Sequence, residues 1–315
     1  MFICCLLFAV SIALVVKGGD IFVDAASAIA KALKIPSFII GATIVSVATT
    51  LPEMIVSVLA AAEGKTEMAV GNAVGSVTAN TSLILAVAMT AMTIICSRKT
   101  HLKQMLLLMC ASLVLWLSCI SGSLAIWGSA VLALIFVLFL IQNVLSAKAN
   151  KDSDESAEPV DKKHIIKNIV LFIVGAAAIV FGSNLMVDNG SEIAKILGVS
   201  ERIIAVTLVA VGTSLPELVT TISAVIKKKA SISVGNIIGA NILDITMILP
   251  ICAMVAGGNL IVPKNALLLD IPFCLGLSLI GVVPMLIKKK FSRWQGIALF
   301  VVYVAYLVLR VIFTA

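Results

Sequence analysis

The sequence predicts an all-α polytopic membrane protein, with ten transmembrane helices arranged as two inverted five-helix repeats. Three observations carry that reading. The 315-residue chain is 61% hydrophobic and 12% charged, whereas a soluble domain is usually about 45–50% apolar and about 25% charged. Its apolar runs match the roughly 20 residues that a spanning helix needs. The chain also aligns with itself after a shift of 164 residues. This composition argues against a water-soluble enzyme, a nucleic-acid-binding module or a disordered chain. The formal charge of +7 gives no reason to expect nucleic acid, because the basic residues cluster in short loops. The seven cysteines lie mostly within apolar runs and show neither a disulfide framework nor metal-ligand spacing.

Taken in order, helices are expected near 2–32, 36–62, 67–95, 103–121, 124–146, 165–196, 201–226, 231–256, 265–287 and 293–313. The first run has no basic leader and continues through Gly18-Gly19-Asp20, so it reads as a retained helix rather than a signal peptide. Between Lys103 and Lys148 lie 44 uncharged residues, which would make one helix of about 66 Å. Ser121-Gly122-Ser123 is the natural place to divide it. The hydrophilic stretch at 147–164 reads as a solvated cytoplasmic linker between a first half, 1–146, and a second half, 165–315. One set of alternate loops holds 17 Lys and Arg residues and the other five. That bias puts both termini outside the cytoplasm and requires an even number of spans. Trp116, Trp127 and Trp294 fit interface anchors. His101 and His164 flank loops and are expected to face solvent. The bilayer is the expected partner, with no cofactor, no nucleic acid and no obligatory protein partner.

The repeat is specific. VDAASAIAKAL at Val23–Leu33 meets VDNGSEIAKIL at Val187–Leu197, and GATIVSVATTLPE, ending at Glu53, meets AVTLVAVGTSLPE, ending at Glu217. Seven of these last thirteen positions are identical. VGNAVGSVTAN, ending at Asn80, meets VGNIIGANILD, ending at Asp244, so 27 residues separate Glu from Asn or Asp in both copies. Five helices per copy is an odd number, so the copies must cross the membrane in opposite senses. Inverted repeats of this kind mark secondary transporters with a site near the bilayer midplane.

The repeated residues have a chemistry in common. A charge at the centre of a spanning helix costs about 2.5–3.5 kcal/mol on insertion scales, yet Glu53 and Glu217 each fall near the middle of a segment. Thr49, Thr50 and Ser46 precede Glu53 by four, three and seven residues, which is helical spacing for one face. Thr213 and Ser214 stand in the same relation to Glu217. Pro52 and Pro216 lack an N–H and displace the carbonyl four residues earlier, freeing backbone oxygens. At membrane depth such oxygens are tolerated only where they line a cavity or meet a partner. Ser76 and Asn80, an i, i+4 pair, and Asp244 add oxygens from the following helix of each copy. The result is an all-oxygen set of the kind a hard cation such as Ca²⁺ requires. Three carboxylates with no nearby Lys or Arg need cations or protons. Three monovalent ions balance them, whereas one divalent ion leaves room for a proton, expected on Asp244. Gly71, Gly75, Gly235 and Gly239 are expected at close helix contacts, with Asn72 and Asn236 in interhelical hydrogen bonds. Asp24 and Asp188 fall near helix ends, where capping is expected, and Lys17 is expected to snorkel or to pair with Asp20.

The two copies resemble the α-repeats of the cation/calcium exchanger superfamily, most closely its prokaryotic sodium/calcium exchangers. The resemblance covers about 18–95 and 182–256 and rests on TTLPE and TSLPE with the two GN motifs. It implies a secondary antiporter that exchanges Ca²⁺ for Na⁺ by alternating access in a prokaryotic plasma membrane. The first and sixth helices would slide over the others. It implies cation ligands at Glu53, Glu217, Thr49, Thr50, Thr213, Ser214, Ser76, Asn80 and Asp244, and backbone oxygens at Ser46 and Ala210. Ala240 stands where the family often has Ser, Val77 replaces the Asn after Ser76, and Ala48 replaces a Gly. These departures leave coupling to H⁺, or to Na⁺ with K⁺, as the alternative.

Overall fold

The computed structural model describes residues 1–91, 94–95, 98–151, 162–198, 212–288 and 290–314. Helix α1 spans Phe2–Ala32. Helices α2 (Ser37–Thr49) and α3 (Leu51–Ala62) meet at a break with a 47° bend. Then come α4 (Thr66–Ala91), α5 (Arg98–Ser118), α6 (Ile126–Lys151) and α7 (Lys162–Ile196). The second half continues with α8 (Leu215–Ile226), α9 (Ala230–Val255), α10 (Ile271–Lys288) and α11 (Arg293–Thr314). Two short antiparallel clips join loop ends: Ile94–Ile95 pairs with Lys290–Phe291, and Ser123–Ala125 pairs with Asn259–Ile261.

Among the described residues, five helices are long and apolar enough to cross a bilayer, or six if α2 and α3 count as one span. The third expected helix stops at Ala91 rather than 95. Thr93, Ile94 and Ile95 are β-branched, and the two isoleucines join a strand instead. The fifth runs on to Lys151, past the expected end at 146, because Ala147, Lys148, Ala149 and Lys151 all favour helix. The centre of the linker and the start of the helix expected from 201 lie outside the described residues.

Burial divides the helices into two layers. In α4 and α9, 78% and 83% of the apolar stretch is buried, against 22% in α1, α6 and α7. The central pair holds Ser76, Asn80, Asn241 and Asp244, all buried. The outer helices instead expose large apolar side chains, among them Phe2, Leu145 and Ile173. That distribution inverts the pattern of a soluble protein and suits a surface facing lipid. Trp127 and Trp294 are also strongly exposed.

Close backbone contact locks the first repeat to the second. A Cβ on Gly235 would lie 2.2 Å from the Phe38 carbonyl oxygen, and one on Gly41 would lie 2.4 Å from that of Ile232. Helix α2 therefore rests directly on α9, and Gly239 meets Ala42 and Ser46 in the same seam. Gly71 and Gly75 were expected in the same kind of contact, but among the described residues nothing lies within 4 Å of a Cβ placed on either. Within α4 and α9, π turns occupy Asn80–Ile84 and Asp244–Ile248, the same five positions of each copy. Such turns occur mostly as single bulges, often at functional sites.

Gly235→Val is expected to separate α2 from α9 and to destabilise the fold by about 1–3 kcal/mol, the usual cost of overpacking. Thermal melting in detergent measures it, and an unchanged melting temperature would contradict the seam.

Candidate functional site

Each proline lies in the first turn of a half-helix, at the second helical position. Helix α2 ends at Thr49, Thr50 forms the joint and α3 begins at Leu51, so Glu53 falls in the first turn of α3. Ser214 is the equivalent joint before α8, and Glu217 falls in that helix's first turn. The Thr50 carbonyl accepts the Met54 N–H at 3.0 Å and the Ser214 carbonyl accepts the Leu218 N–H at 3.0 Å. Helices α3 and α8 thus start at the same point of their repeats. Both carboxylates sit at helix N-termini, where the backbone dipole favours negative charge.

T-x-x-E and S-x-x-E are capping-box sequences, in which the hydroxyl would bond to its own helix. Here the joint hydroxyls cross to the other repeat. Thr50 Oγ1 donates to Glu217 Oε1 at 3.2 Å, and Ser214 Oγ donates to Glu53 Oε1 at 3.3 Å. No side-chain capping bond forms at either helix. Both glutamates are 1% exposed. Their Oε2 atoms, both Asp244 carboxylate oxygens and Asn80 Oδ1 are buried without a hydrogen-bond partner among the described residues. Asp244 lies within electrostatic reach of Glu53 and Glu217.

The other expected residues surround this core. Thr49 Oγ1 lies 3.1 Å from Asn236 Oδ1 and 3.3 Å from the Ser46 carbonyl oxygen. That carbonyl also accepts the Thr50 N–H at 2.9 Å. Ser46 donates its own hydroxyl to Thr43 O at 3.0 Å. Ser76 is buried on α4 and Thr213 is half-buried beside the second joint. Ala210 lies outside the described residues. Asn72 Nδ2 donates to the Glu53 carbonyl oxygen at 3.2 Å and to Ser57 Oγ at 2.9 Å, tying α4 to α3 as expected. Asn236 links α9 to α2 through Thr49.

Other intramembrane polar groups have partners that the sequence did not reveal. Asn241 Nδ2 donates to Thr81 Oγ1 at 2.8 Å, and Tyr306 Oη donates to Asp270 Oδ1 at 2.7 Å. Asp24 is not a helix cap, since it binds Lys227 and Lys229 at 2.6 and 2.7 Å. Asp20 lies 3.6 Å from Lys227 rather than pairing with Lys17.

The arrangement can hold a cation only as a mixed oxygen set. Among the described residues, no three His, Cys, Asp or Glu side chains group closely enough to bind a metal alone. Hydroxyl and backbone oxygens must complete any shell. Hard cations accept such a set, taking carboxylate, hydroxyl and carbonyl oxygens together.

The family model for sodium/calcium exchanger proteins matches residues 4–145 and 167–312. An uncharacterised membrane protein of Methanocaldococcus jannaschii is 30% identical, over 94% of each chain. The sodium/calcium exchanger MaX1 of Methanosarcina acetivorans is 29% identical, over 96% of this chain and 97% of its own length. A solved structure of the sodium-calcium exchanger NCX_Mj soaked with Na⁺ and Sr²⁺ superposes with a TM-score of 0.86, at 27% identity over 98% of both chains.

Thr50→Val and Ser214→Ala each leave one buried carboxylate without its cross-repeat donor. Each is expected to lower stability by about 1.5–3 kcal/mol, the range for a hydrogen bond to a charged group. Melting curves in detergent should give similar losses for the two variants. A loss confined to one of them would contradict the reciprocal arrangement.

Proposed function

The chain belongs to the sodium/calcium exchanger protein family, and we propose on that premise that it exchanges Ca²⁺ for Na⁺ across the membrane by alternating access. Ten helices in two inverted five-helix repeats would span a prokaryotic inner membrane, with residues 147–164 and the lysine-rich loops in the cytoplasm. Both termini would then lie outside. The observation that carries this reading is the crossed pair of bonds from Thr50 to Glu217 and from Ser214 to Glu53. It draws one carboxylate from each repeat to a shared centre.

In this reading Glu53 and Glu217 are the main ligands of both ions, through oxygens that include their unpartnered Oε2 atoms. Thr50 and Ser214 hold the carboxylates with their hydrogens and keep lone pairs for a cation. Thr49, Thr213, Ser76, Asn80 and Asp244 supply further oxygens, as do the backbone carbonyls of Ser46 and Ala210. The Ser46 carbonyl accepts the Thr50 N–H, and its second lone pair remains for an ion. Calcium takes six to eight oxygens, so it would use most of this set. Charge balance then sets the alternation: Na⁺ ions neutralise the same carboxylates that Ca²⁺ occupies, and the two loads exclude each other. Asn72 and Asn236 hold the broken helices in register, and the half-helix N-termini stabilise the empty carboxylates during the exchange.

Liposomes containing the purified protein and loaded with Na⁺ should accumulate radiolabelled Ca²⁺. Glu53→Gln and Glu217→Gln should each abolish that uptake. Equal uptake driven by a pH gradient without a Na⁺ gradient would overturn Na⁺ coupling. Ala240 is fully buried in α9, one helical turn before Asp244. Ala240→Ser adds a hydroxyl there and is expected to lower the Na⁺ concentration for half-maximal exchange, by about threefold to tenfold if one good hydrogen-bonding oxygen is gained. An unchanged Na⁺ dependence would remove position 240 from the Na⁺ shell.

A further inference from the structure

Helix α1 packs along α7 as a tight pair. Cβ atoms added at Gly18, Gly175 and Gly182 would lie 2.9 Å from Ala178 Cβ, 2.8 Å from the Phe22 backbone N and 2.8 Å from Val15 Cγ2, respectively. Phe22 and Phe172 stack at 4.4 Å. The pair also packs against α8, through the second half of α1. There Gly19 is pressed against α8, where a Cβ would lie 2.7 Å from Ser223 Oγ and 2.8 Å from Val219 Cγ1. One turn further, Asp20 and Asp24 face the loop that joins α8 to α9. Asp24 binds Lys227 at 2.6 Å and Lys229 at 2.7 Å, and Asp20 lies 3.6 Å from Lys227.

The internal repeat shows what is unusual here. Shifting by 164 residues relates Asp24 to Asp188, Asp20 to Asn184, and Gly19 to Ser183. The same shift relates Lys227 to Glu63 and Lys229 to Lys65. In the first copy those two loop residues bind each other, Lys65 Nζ lying 2.7 Å from Glu63 Oε2. Lys65 holds the Glu63 carboxyl below the usual carboxylate range. One loop therefore presents three lysines, two of which bind an acidic helix, and its counterpart in the first copy presents a self-neutralised pair. An inverted repeat with identical copies would favour neither orientation. This one is charge-biased.

We propose that Asp24 with Lys227 and Lys229 is an ionic latch that positions the α1–α7 pair, holding it closed at the Lys227 end and so favouring the state open at the Lys65 end. The inference rests on the alternating-access reading and adds to it a cause for unequal populations of the two states. The carboxylate is 59% exposed and the lysines 22% and 27%. The bias is therefore modest and sensitive to salt, as for partly screened ion pairs. A shift in population changes the apparent affinity seen from each face in opposite directions. A merely structural contact would change both in the same way.

The test measures apparent Ca²⁺ affinity separately from the Lys65 face and the Lys227 face, in proteoliposomes of known orientation. Asp24→Asn should weaken Ca²⁺ at the Lys65 face and tighten it at the Lys227 face, each by about twofold to fivefold, the range for one or two exposed ion pairs. Glu63→Lys makes the mirror loop basic and should shift both affinities in those same directions. Combining Asp24→Lys with Lys227→Asp and Lys229→Asp, in a chain that also carries Asp20→Asn to remove the carboxylate 3.6 Å from position 227, should restore the wild-type ratio. Asp24→Asn affinities that fall equally on both faces, or do not change, would overturn the latch. Wild-type protein that shows no Na⁺-driven Ca²⁺ uptake would instead overturn the underlying antiport reading, so the two failures are distinguishable.

Discussion

A buried carboxylate in a low-dielectric interior must have donors or counter-ions, and this constraint shapes the centre of the protein. Each repeat brings its own glutamate and its own hydroxyl to the start of a half-helix. The joint hydroxyls cross over: Thr50 serves Glu217 and Ser214 serves Glu53. The polar centre is thus complete only when both copies are present and correctly apposed. The bare glycine seam between α2 and α9 holds them at that distance.

The backbone interruptions serve the same end. Pro52 and Pro216 sit at the second position of α3 and α8, where a missing N–H costs nothing. They let α3 and α8 each begin with the positive end at a carboxylate. The π turns that begin at Asn80 and Asp244 interrupt the neighbouring helices at repeat-related positions. Asn72 then joins the two kinds of interruption, donating to the Glu53 carbonyl and to Ser57. The two joints and the repeat-related π turns fall where the oxygens are, while the outer helices α1, α6 and α7 are long and unbroken.

Much of this was legible in the sequence because the repeat doubles every signal. A single membrane glutamate is ambiguous, but Glu53 and Glu217 at one repeat position, each after a proline and two hydroxyls, identified the centre and the joints. The crossing was not legible. TTLPE and TSLPE read locally as capping boxes, and only the apposition of the two copies sends each hydroxyl to the other glutamate. Long-range pairs were hidden for the same reason. Asp24 looked like a capping residue because its partners, Lys227 and Lys229, lie some two hundred positions away. Tyr306 gave no hint of Asp270. The boundary errors have a local cause: hydropathy does not separate a helix end from the short β-branched strand at Ile94–Ile95.

The central claim is that one cation sits between the repeats and touches both glutamates. Anomalous diffraction from crystals soaked with Sr²⁺ in low Na⁺ locates such an ion directly. The account requires a single strong peak bounded by carboxylate oxygens of Glu53 and Glu217, and its loss when Na⁺ is raised. A peak bound by residues of one repeat alone, or one that persists at high Na⁺, would contradict it.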